Sequence, residues 1–363
     1  MSVPLTLQQV ARHRSTTQSL AAPAARTPAA LVRWFGAVQS QDLPLARWSL
    51  GQRLTGCTSS DIDAALADGS ILRTHILRPT WHFVARDDLR WMLSLTAPRV
   101  LAKARPYDVR AGMDDVMARK ALKVLEKAIA RRGPRTRSEL ATELRTQLGD
   151  VSNWLVGHLL MHAELHGVVC SGPARGAQQT YALLEERAPA GPALTRDEAV
   201  AELARRYFQS HAPATELDYR WWSGLGASDA RRGIEALGDA VERTVVGDLT
   251  FIMWRDAPAP GRASSTVQLL QPFDEFVVAY TESRHAMDVA GLVRQGRPDG
   301  LLTRSIVVDG QVAGRWTRTL DCRSLVRVEL LRRLTVREQR SLAAAADRFG
   351  TFLGEPLTVQ AQG

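Results

Sequence analysis

The feature that most constrains the fold is a plan of helices, a turn and a β-hairpin that recurs three times. The first copy runs from DIDAALADG into SILRTHILRPTWHFV, and the second from SELATELRTQLG to QQTYALL. The third runs from ATELDYRWWSGLG to TVVGDLTFIMW. A helix-turn-helix with a glycine-containing turn, followed by a hairpin, is typical of a winged helix. The recurrence therefore predicts an α+β chain built from three tandem winged-helix units.

Changes in composition predict where these units begin and end. RRGPRTR at 131–137 and ERAPAGPALT at 186–195 are rich in breakers and indicate linkers. From about residue 264 the chain becomes β-prone, with Asp309-Gly310 as a hairpin signal, and it ends in a helical pattern. We predict a helical segment with the first winged-helix unit over 1–130, a second unit over 131–190, a third over 191–262, and a C-terminal β-barrel-like domain with a terminal helix over 263–363.

Capping residues mark the starts of three helices. Thr27 precedes Pro28, which predicts a helix over the following ALVRWFGAVQ. Capping boxes at Thr136 and Thr195 mark two more helices. The first of these helices carries a polar triplet, Gln39-Ser40-Gln41, at its end.

The charge balance predicts a polyanionic partner. The chain has 47 Lys and Arg against 38 Asp and Glu, which gives a formal net charge of +9. Most of the cations are arginines, whose planar guanidinium suits phosphate. A basic balance favours a phosphate-bearing partner, and an RNA or a membrane surface fits it as well as DNA does.

The remaining composition indicates a cytoplasmic protein with neither metal nor cofactor. Cys57, Cys170 and Cys322 are far apart and form no CxxC pair, which argues against a disulfide framework and a zinc site. The N-terminus lacks a signal-peptide pattern, and no apolar run approaches the ~18 residues of a membrane span. Motifs for nucleotide, dinucleotide and zinc-protease sites are absent.

Three clusters have both a functional and a structural interpretation. His158, His162 and His166 share one helical face and could hold a metal, but no carboxylate or cysteine completes the pattern, so we favour a helix flank. Adjacent tryptophans, Trp221 and Trp222, point about 100° apart on a helix, so at most one reaches a bound base. In the third unit, Arg231 and Arg232 occupy the recognition-helix position and either bind DNA or form a solvated face.

Five segments in order resemble a known family. They are AVQSQDLPLARWSLGQR, THILRPTWHFV, LDYRWWSGL, LLQPFDEFVVAY and VVDGQVAGRW. Together they resemble the winged-helix DNA glycosylases typified by the azinomycin-resistance enzyme, which unhook interstrand crosslinks. The resemblance implies three tandem winged-helix units and a C-terminal β-barrel-like part around a DNA channel.

The resemblance also implies which residues form the site. The family's catalytic Gln-x-Gln motif maps onto Gln39 and Gln41, with Ser40 where members usually have an aliphatic residue or alanine. A related branch has Asp at the second position, so Gln41 aligns this chain with the crosslink-unhooking branch. The family probes DNA with a β-hairpin, and we assign the Asp309-Gly310 hairpin to that role. His75 and Arg78 are predicted to face phosphate or the lesion.

Two glutamines constrain the chemistry because an amide does not ionise. A purine alkylated at N7 already carries a positive charge and leaves as a neutral base, so it needs no strong general acid. A glutamine offers a carbonyl acceptor and two N–H donors, which can place a water and face the developing sugar cation. We therefore predict a glycosylase for cationic purines that is inactive on uracil. No lysine stands out as a Schiff-base nucleophile, so we expect it to be monofunctional. Asp42 either supplies a nearby charge or caps a helix.

Two non-enzymatic alternatives remain at this point. A winged-helix transcription regulator explains the charge and the repeated units, and it makes the glutamine triplet an ordinary helix end. A protein that shields DNA damage without hydrolysis is the other. Regulators usually dimerise on palindromic sites, whereas nothing here resembles a dimerisation coiled coil, so we predict a monomer that acts on double-stranded DNA with alkylated purines.

Overall fold

The computed structural model of the protein describes residues 5–23, 25–191, 193–293, 303–318 and 325–361. It is an α+β fold in which helices surround small sheets, as the sequence predicts. Among the described residues, no helix combines the length and the apolar character needed to cross a membrane. Cys322, noted above, lies outside the described residues.

The first part of the chain forms helices around a three-stranded sheet. Its elements are α1 (Leu7–Thr17), α2 (Pro28–Phe35), β1 (Ala37–Gln39), α3 (Leu43–Gly51), α4 (Ser59–Asp68), β2 (Ile71–Ile76), β3 (Arg78–Ala85) and α5 (Leu89–Arg110). The sheet has the antiparallel order β1-β3-β2. The hairpin predicted within SILRTHILRPTWHFV forms as β2 and β3, with Leu77 at φ 61° in the turn between them.

The middle of the chain contains the other two predicted copies of the plan. The elements are α6 (Asp115–Arg132), β4 (Arg135–Thr136), α7 (Arg137–Leu148), α8 (Asn153–Leu165), β5 (Val169–Arg175), β6 (Gln178–Leu183), α9 (Leu184–Arg187), α10 (Arg196–His211), α11 (Glu216–Ser223), α12 (Ala227–Glu235), β7 (Val241–Val246) and β8 (Leu249–Trp254). Both predicted capping boxes, at Thr136 and Thr195, form as expected. Each pair of helices is followed by a hairpin, β5–β6 and β7–β8.

The C-terminal part is built on a five-stranded sheet that curls into a half-barrel. Its elements are β9 (Val267–Leu269), α13 (Glu275–Val278), β10 (Ser305–Val308), β11 (Gln311–Arg318), β12 (Leu325–Leu330), α14 (Val336–Leu353) and β13 (Thr358–Ala361). The strand order is β13-β12-β11-β10-β9, antiparallel except for the parallel pair β12–β13. Helix α14 confirms the predicted terminal helix, and β13 follows it.

The prediction that a helix carries the glutamine triplet is wrong. Helix α2 ends at Phe35 because Gly36 adopts a φ of 81°, which terminates the helical hydrogen bonding. Residues Ala37–Gln39 then form β1, with Gln39 opposite His82 on β3. Since the partner strand is more than 40 positions away, helical periodicity alone could not reveal this pairing.

One hydrophobic core joins the N-terminal helices to the C-terminal domain. Trp48 on α3 packs against Phe349 and Phe352 of α14, with ring centroids 4.9 and 5.3 Å apart. Phe35 and Val38 belong to the same buried cluster. This shared core crosses the predicted boundaries at 130 and 263, and it fixes the backbone on both sides of the glutamine triplet.

A single glycine allows α11 to approach the β2–β3 turn. Gly224, directly after α11, has a φ of +69°, and a Cβ built there would lie 2.1 Å from the carbonyl oxygen of Leu77. A side chain is therefore excluded at this position. The close contact brings Trp221 and Trp222 next to the start of β3, where the site lies.

Candidate active-site cleft

Gln39 is held at both its backbone and its side chain. Its backbone N–H donates to Glu275 Oε1 at 2.6 Å, and its side-chain Oε1 accepts from Arg78 Nη2 at 2.8 Å. Only 6% of the residue is exposed. Because the Arg78 guanidinium only donates, it orients the amide with Oε1 toward Arg78.

Gln41 is oriented by the backbone of the facing strand. Its Oε1 accepts from the backbone N–H of Trp81 at 3.3 Å, while the side chain remains exposed. Ser40 between the glutamines is buried, and its N–H donates to the carbonyl of Trp81 at 2.7 Å. The β1–β3 pairing thus continues through the triplet and places both amides beside the first residues of β3.

Arg73 on β2 fixes the opposite side of the triplet. Its Nε and Nη2 donate to the carbonyl of Ser40 at 3.1 and 2.9 Å, and its Nη1 donates to Gln179 Oε1 at 2.7 Å. The guanidinium carbon lies 4.4 Å from the ring centroid of Trp81. Burial lowers the pKa of Arg73, and these acceptors compensate for its desolvation.

The segment after the triplet is bound to the C-terminal domain by a buried ion pair. Asp42 caps α3 by accepting the N–H of Leu45, so the capping interpretation of this residue is confirmed. On the same helix, Ser49 donates to Asp274 Oδ2 at 2.8 Å. Arg53 then donates to both oxygens of Asp274, at 2.6 and 2.9 Å, and neither partner is exposed by more than 1%.

Gln39 lines a cleft of about 640 Å³ that is rich in cations. The walls come from β1, the start of β3, α5, α11 and the segment around α13. Its basic residues are Arg78, Arg99, Lys103, Arg220 and Arg284. Among the described residues that line it, none is Asp, Glu or His.

The cations of the cleft are close enough to influence one another. The pKa of Lys103 is lowered, first by partial burial and then by the nearby charges of Arg99 and Arg78. Cations that repel one another are stabilised by a bound polyanion, and phosphate groups are the matching ligand. The cleft is therefore suited to a nucleic-acid backbone.

The two adjacent tryptophans divide their roles, as their angular separation predicts. Trp221 is 46% exposed, lines the cleft and donates its indole N–H to the carbonyl of Val278 at 2.9 Å. Trp222 is fully buried and donates its indole N–H to Glu275 Oε2 at 3.0 Å. Only Trp221 can contact a bound ligand, while Trp222 belongs to the support beneath Gln39.

His75 and Arg78, the two residues of the β2–β3 hairpin predicted to face phosphate or the lesion, lie in different environments. Arg78 lines the cleft beside Gln39, and its Nη1 donates to the carbonyl of Trp222 at 2.8 Å. His75 is buried, with Nδ1 hydrogen-bonded to Glu164 and its ring against Trp81 at 4.5 Å between centroids. His75 is thus buried against α8 in this structure, and contact of this residue with DNA stays a prediction.

The other predicted DNA-contacting residues lie away from Gln39. Arg231 and Arg232 on α12 are exposed and form ion pairs with Glu216, Asp197 and Asp229. They are surface residues, and DNA contact by them stays a prediction.

The tip of the hairpin between β10 and β11 packs against α1. Asp309 receives two hydrogen bonds from Arg12, at 2.9 and 2.6 Å. Gly310 is buried, and a Cβ built there would lie 2.9 Å from the backbone of Ala11. In this structure the tip is covered by α1, which differs from the exposed position expected of a DNA probe.

The histidine series on α8 has a structural explanation. His158 and His162 both hydrogen-bond to Asp108 of α5, at 2.6 and 2.8 Å, and His166 bonds to the carbonyl of His162. The series thus joins α8 to α5. Within the described part of the chain, no group of His, Cys, Asp or Glu side chains is arranged to hold a metal ion.

Sequence reasoning missed Glu275, Arg73 and the cations of α5. One signal for Glu275 was present: LLQPFDEFVVAY has two adjacent carboxylates within an apolar run. Charged residues in such a run are buried only when they are paired. Arg73 and the cations of α5 had no comparable signal among 47 basic residues.

Comparisons with known proteins identify the family and the fold. The family model described as "DNA glycosylase AlkZ-like" matches residues 32–352. An interstrand DNA cross-link repair glycosylase from Streptomyces sahachiroi is 25% identical over 308 residues, which cover 77% of this chain and 79% of that protein. The solved structure of the S. sahachiroi DNA glycosylase AlkZ aligns with a TM-score of 0.75 at 22% identity, over 99% of this chain and 100% of that one.

Proposed function

The chain belongs to the AlkZ-like DNA glycosylases, enzymes that hydrolyse N-glycosyl bonds, and we propose that its substrates are cationic, N7-alkylated purines in double-stranded DNA. The observation that carries this proposal is the composition of the cleft. Gln39 lines it together with five cations, and none of its described lining residues is a carboxylic acid or an imidazole. A site without an acid to protonate the leaving base requires a base that is already charged.

The two glutamines supply positioning. Arg78 and the Trp81 N–H each donate to one amide oxygen, which leaves each oxygen a second acceptor position and each amide its NH₂ donors. An acceptor position of Gln39 or Gln41 holds the attacking water near C1′, and the amide dipole faces the sugar. The C1′–N9 bond breaks with its electron pair passing to the purine, which cancels the purine's charge. The water oxygen bonds to C1′ and its proton passes to solvent.

The substrates extend to bulky adducts and interstrand crosslinks. The open, basic cleft accommodates a lesion that cannot be flipped into an enclosed pocket. A curated relative is named as an interstrand DNA cross-link repair glycosylase. The physiological role we propose is accordingly DNA repair or self-resistance to a genotoxin. Lys103, the lysine that lines the cleft, is assigned to phosphate binding rather than to attack on the sugar, so the product is an abasic site in an uncut strand.

The architecture around the cleft is proposed to be that of a DNA channel. The three copies of the helix and hairpin plan form winged-helix units with the boundaries given above, and the curled C-terminal sheet completes the channel. Arg78 contacts the DNA backbone within the cleft, and Arg231 and Arg232 extend that contact at the surface. The enzyme acts as a monomer, and contact by the Asp309-Gly310 hairpin requires its release from α1.

The test is release of N7-methylguanine from a duplex oligonucleotide, quantified by chromatography under single-turnover conditions. The wild-type protein should release the base, and Gln39→Ala/Gln41→Ala should lose about 10²-fold or more in rate, as expected for removal of preorganised polar groups. Gln339→Ala is the matched control, because Gln339 is exposed on α14. A uracil-containing duplex should give no release.

Two results would count against the proposal. Tight binding of the lesion without any base release from wild-type protein would favour a damage-shielding protein. Release of uracil at a rate similar to that of N7-methylguanine would show that the cleft supplies an acid, which contradicts the role given to the two amides.

A further inference from the structure

A buried carboxylate lies directly beneath Gln39, and nothing in the glutamine chemistry accounts for its charge. We propose that Glu275 is a positioning residue that holds Gln39 and whose negative charge favours the sugar cation formed during base release. This inference rests on the proposed glycosylase reaction. It adds a negative charge to a site that otherwise consists of neutral amides and positive charges.

Both oxygens of Glu275 accept hydrogen bonds, one from Gln39 and the other from the buried support beneath it. Oε1 accepts the backbone N–H of Gln39 at 2.6 Å. Oε2 accepts the indole N–H of Trp222 at 3.0 Å and lies 3.4 Å from Nε2 of His211. Glu275 is 0% exposed, so solvent does not screen its charge.

The hydrogen bonds alone do not require a carboxylate. The donors from Gln39 and Trp222 are neutral, and an amide or backbone carbonyl would accept them with a smaller desolvation penalty than a buried carboxylate. Burial lowers the pKa of His211, which favours a neutral imidazole and adds no positive charge of its own. None of these neutral donors accounts for the charge of Glu275, so a nearby cation must interact with it.

That cation is Arg78, whose guanidinium bonds to the side chain of Gln39. Burial lowers the pKa of Arg78, and the charge of Glu275 is the largest influence that opposes this effect. A bare guanidinium at this position would repel a sugar cation forming beside Gln39. Glu275 thus contacts the backbone of Gln39 and Arg78 its side chain, and the carboxylate offsets the repulsion.

The experiment compares two abasic-site analogues in otherwise identical duplexes. One carries a pyrrolidine, which is protonated and mimics the sugar cation, and the other carries a neutral tetrahydrofuran. The wild-type protein should bind the pyrrolidine duplex more tightly. Glu275→Gln keeps the size and the acceptor toward Gln39, and it should reduce this preference by about 10- to 100-fold, the range for one charge acting over roughly 6–10 Å at an effective dielectric constant of about 20.

Arg78→Met provides a second variant with the opposite sign. Removing the guanidinium should increase the preference for the pyrrolidine duplex, even as it slows base release by freeing the Gln39 amide. The ratio of two affinities is measured on the same folded fraction, so a loss of stability in either variant does not alter it. A purely structural role of Glu275 would lower both affinities together and leave the ratio unchanged.

The outcomes separate this inference from the proposed function. If wild-type protein releases N7-methylguanine but Glu275→Gln keeps the wild-type ratio of the two affinities, only the inference is overturned. If Glu275→Gln does not fold, Arg78→Met decides, and an unchanged or lower ratio in that variant overturns the inference. If wild-type protein releases no base, the proposed function fails and this inference fails with it. Opposite shifts of the ratio in the two variants support it.

Discussion

Arg73 offers a sharp test of how the glutamine triplet is held, because it contacts the triplet through backbone carbonyls alone and does not line the cleft. Its guanidinium donates to the carbonyl of Ser40 through two nitrogens and to Gln179 through a third. Replacing it by methionine keeps most of the side-chain stem beside Trp81 but removes every donor. The carbonyl of the buried Ser40 then has no partner from this side.

The expected magnitude follows from these contacts. Hydrogen bonds that involve a charged group contribute about 1.5–3 kcal/mol each, and the stacking on Trp81 contributes about 0.5–1 kcal/mol. The lost contacts are partly offset because the buried guanidinium, whose pKa is lowered by burial, no longer has to be desolvated. We expect Arg73→Met to lower the free energy of unfolding by about 2–3 kcal/mol. A shift of the triplet by ~1 Å would slow base release by about 10²-fold.

Urea unfolding gives the stability change, and single-turnover release of N7-methylguanine at saturating protein gives the rate. Arg196→Met is the matched control, because Arg196 forms an exposed ion pair with Asp229 and should change stability by less than about 1 kcal/mol without affecting the rate. A wild-type rate in Arg73→Met, together with a loss of stability, would refute the argument. It would show that Ser40 and the two glutamines keep their positions without the guanidinium.

Further predictions address stability, pH and DNA binding. Asp274→Asn should cost about 3–5 kcal/mol in urea unfolding because it leaves a buried arginine without its counter-ion; a loss below 1 kcal/mol would contradict the buried pairing. Gly224→Ala should cost at least about 2 kcal/mol, from a strained positive φ and a clash with the β2–β3 turn; an unchanged midpoint would rule out that contact. Burial lowers the pKa values of His82 and His211, so the folded protein keeps both neutral while the unfolded chain takes up protons below about pH 6.5. Their contribution to stability should be complete above that pH and decrease as the pH falls, by up to about 1.4 kcal/mol per unit for each histidine; unfolding curves that coincide from pH 5.5 to 7 would exclude it. Lys103→Met should lower the slope of log affinity against log salt by about one, and an unaltered slope would show that Lys103 contacts no phosphate.

Local signals in the sequence were sufficient for most of the helices and hairpins. The capping boxes at Thr136 and Thr195 define helix starts through contacts within four residues, so the sequence contains all of the interacting groups. The turn between β7 and β8 is local in the same way, because Gly247 within it adopts a φ of 59°. Strand β1 is different, because its stability comes from pairing with β3 and from the core shared with α14. A short strand of this kind has no periodicity long enough to recognise.

Residues of the candidate site could be predicted only where they belong to a family motif. Gln39 and Gln41 were found through the resemblance, since two glutamines have no distinctive pattern of their own. Their supports, Arg73 and Glu275, come from positions 34 and 236 residues further along the chain than Gln39. A hydrogen bond between such positions depends on the tertiary fold, so spacing in the sequence does not reveal it.

The cations of the cleft and the neutrality of the Gln39 amide together explain why a buried anion is useful. In the proposed reaction the positive charge moves from the purine to the sugar, so the total charge of the bound lesion does not change. The total positive charge of the cations that bind phosphate therefore cannot favour the reaction. Only a difference in electrostatic potential between the purine and the sugar can. Glu275 lies under Gln39, the residue that we propose holds the attacking water beside C1′. A carboxylate there favours the later position of the charge over the earlier one, which is the requirement for stabilising a transition state rather than the bound substrate.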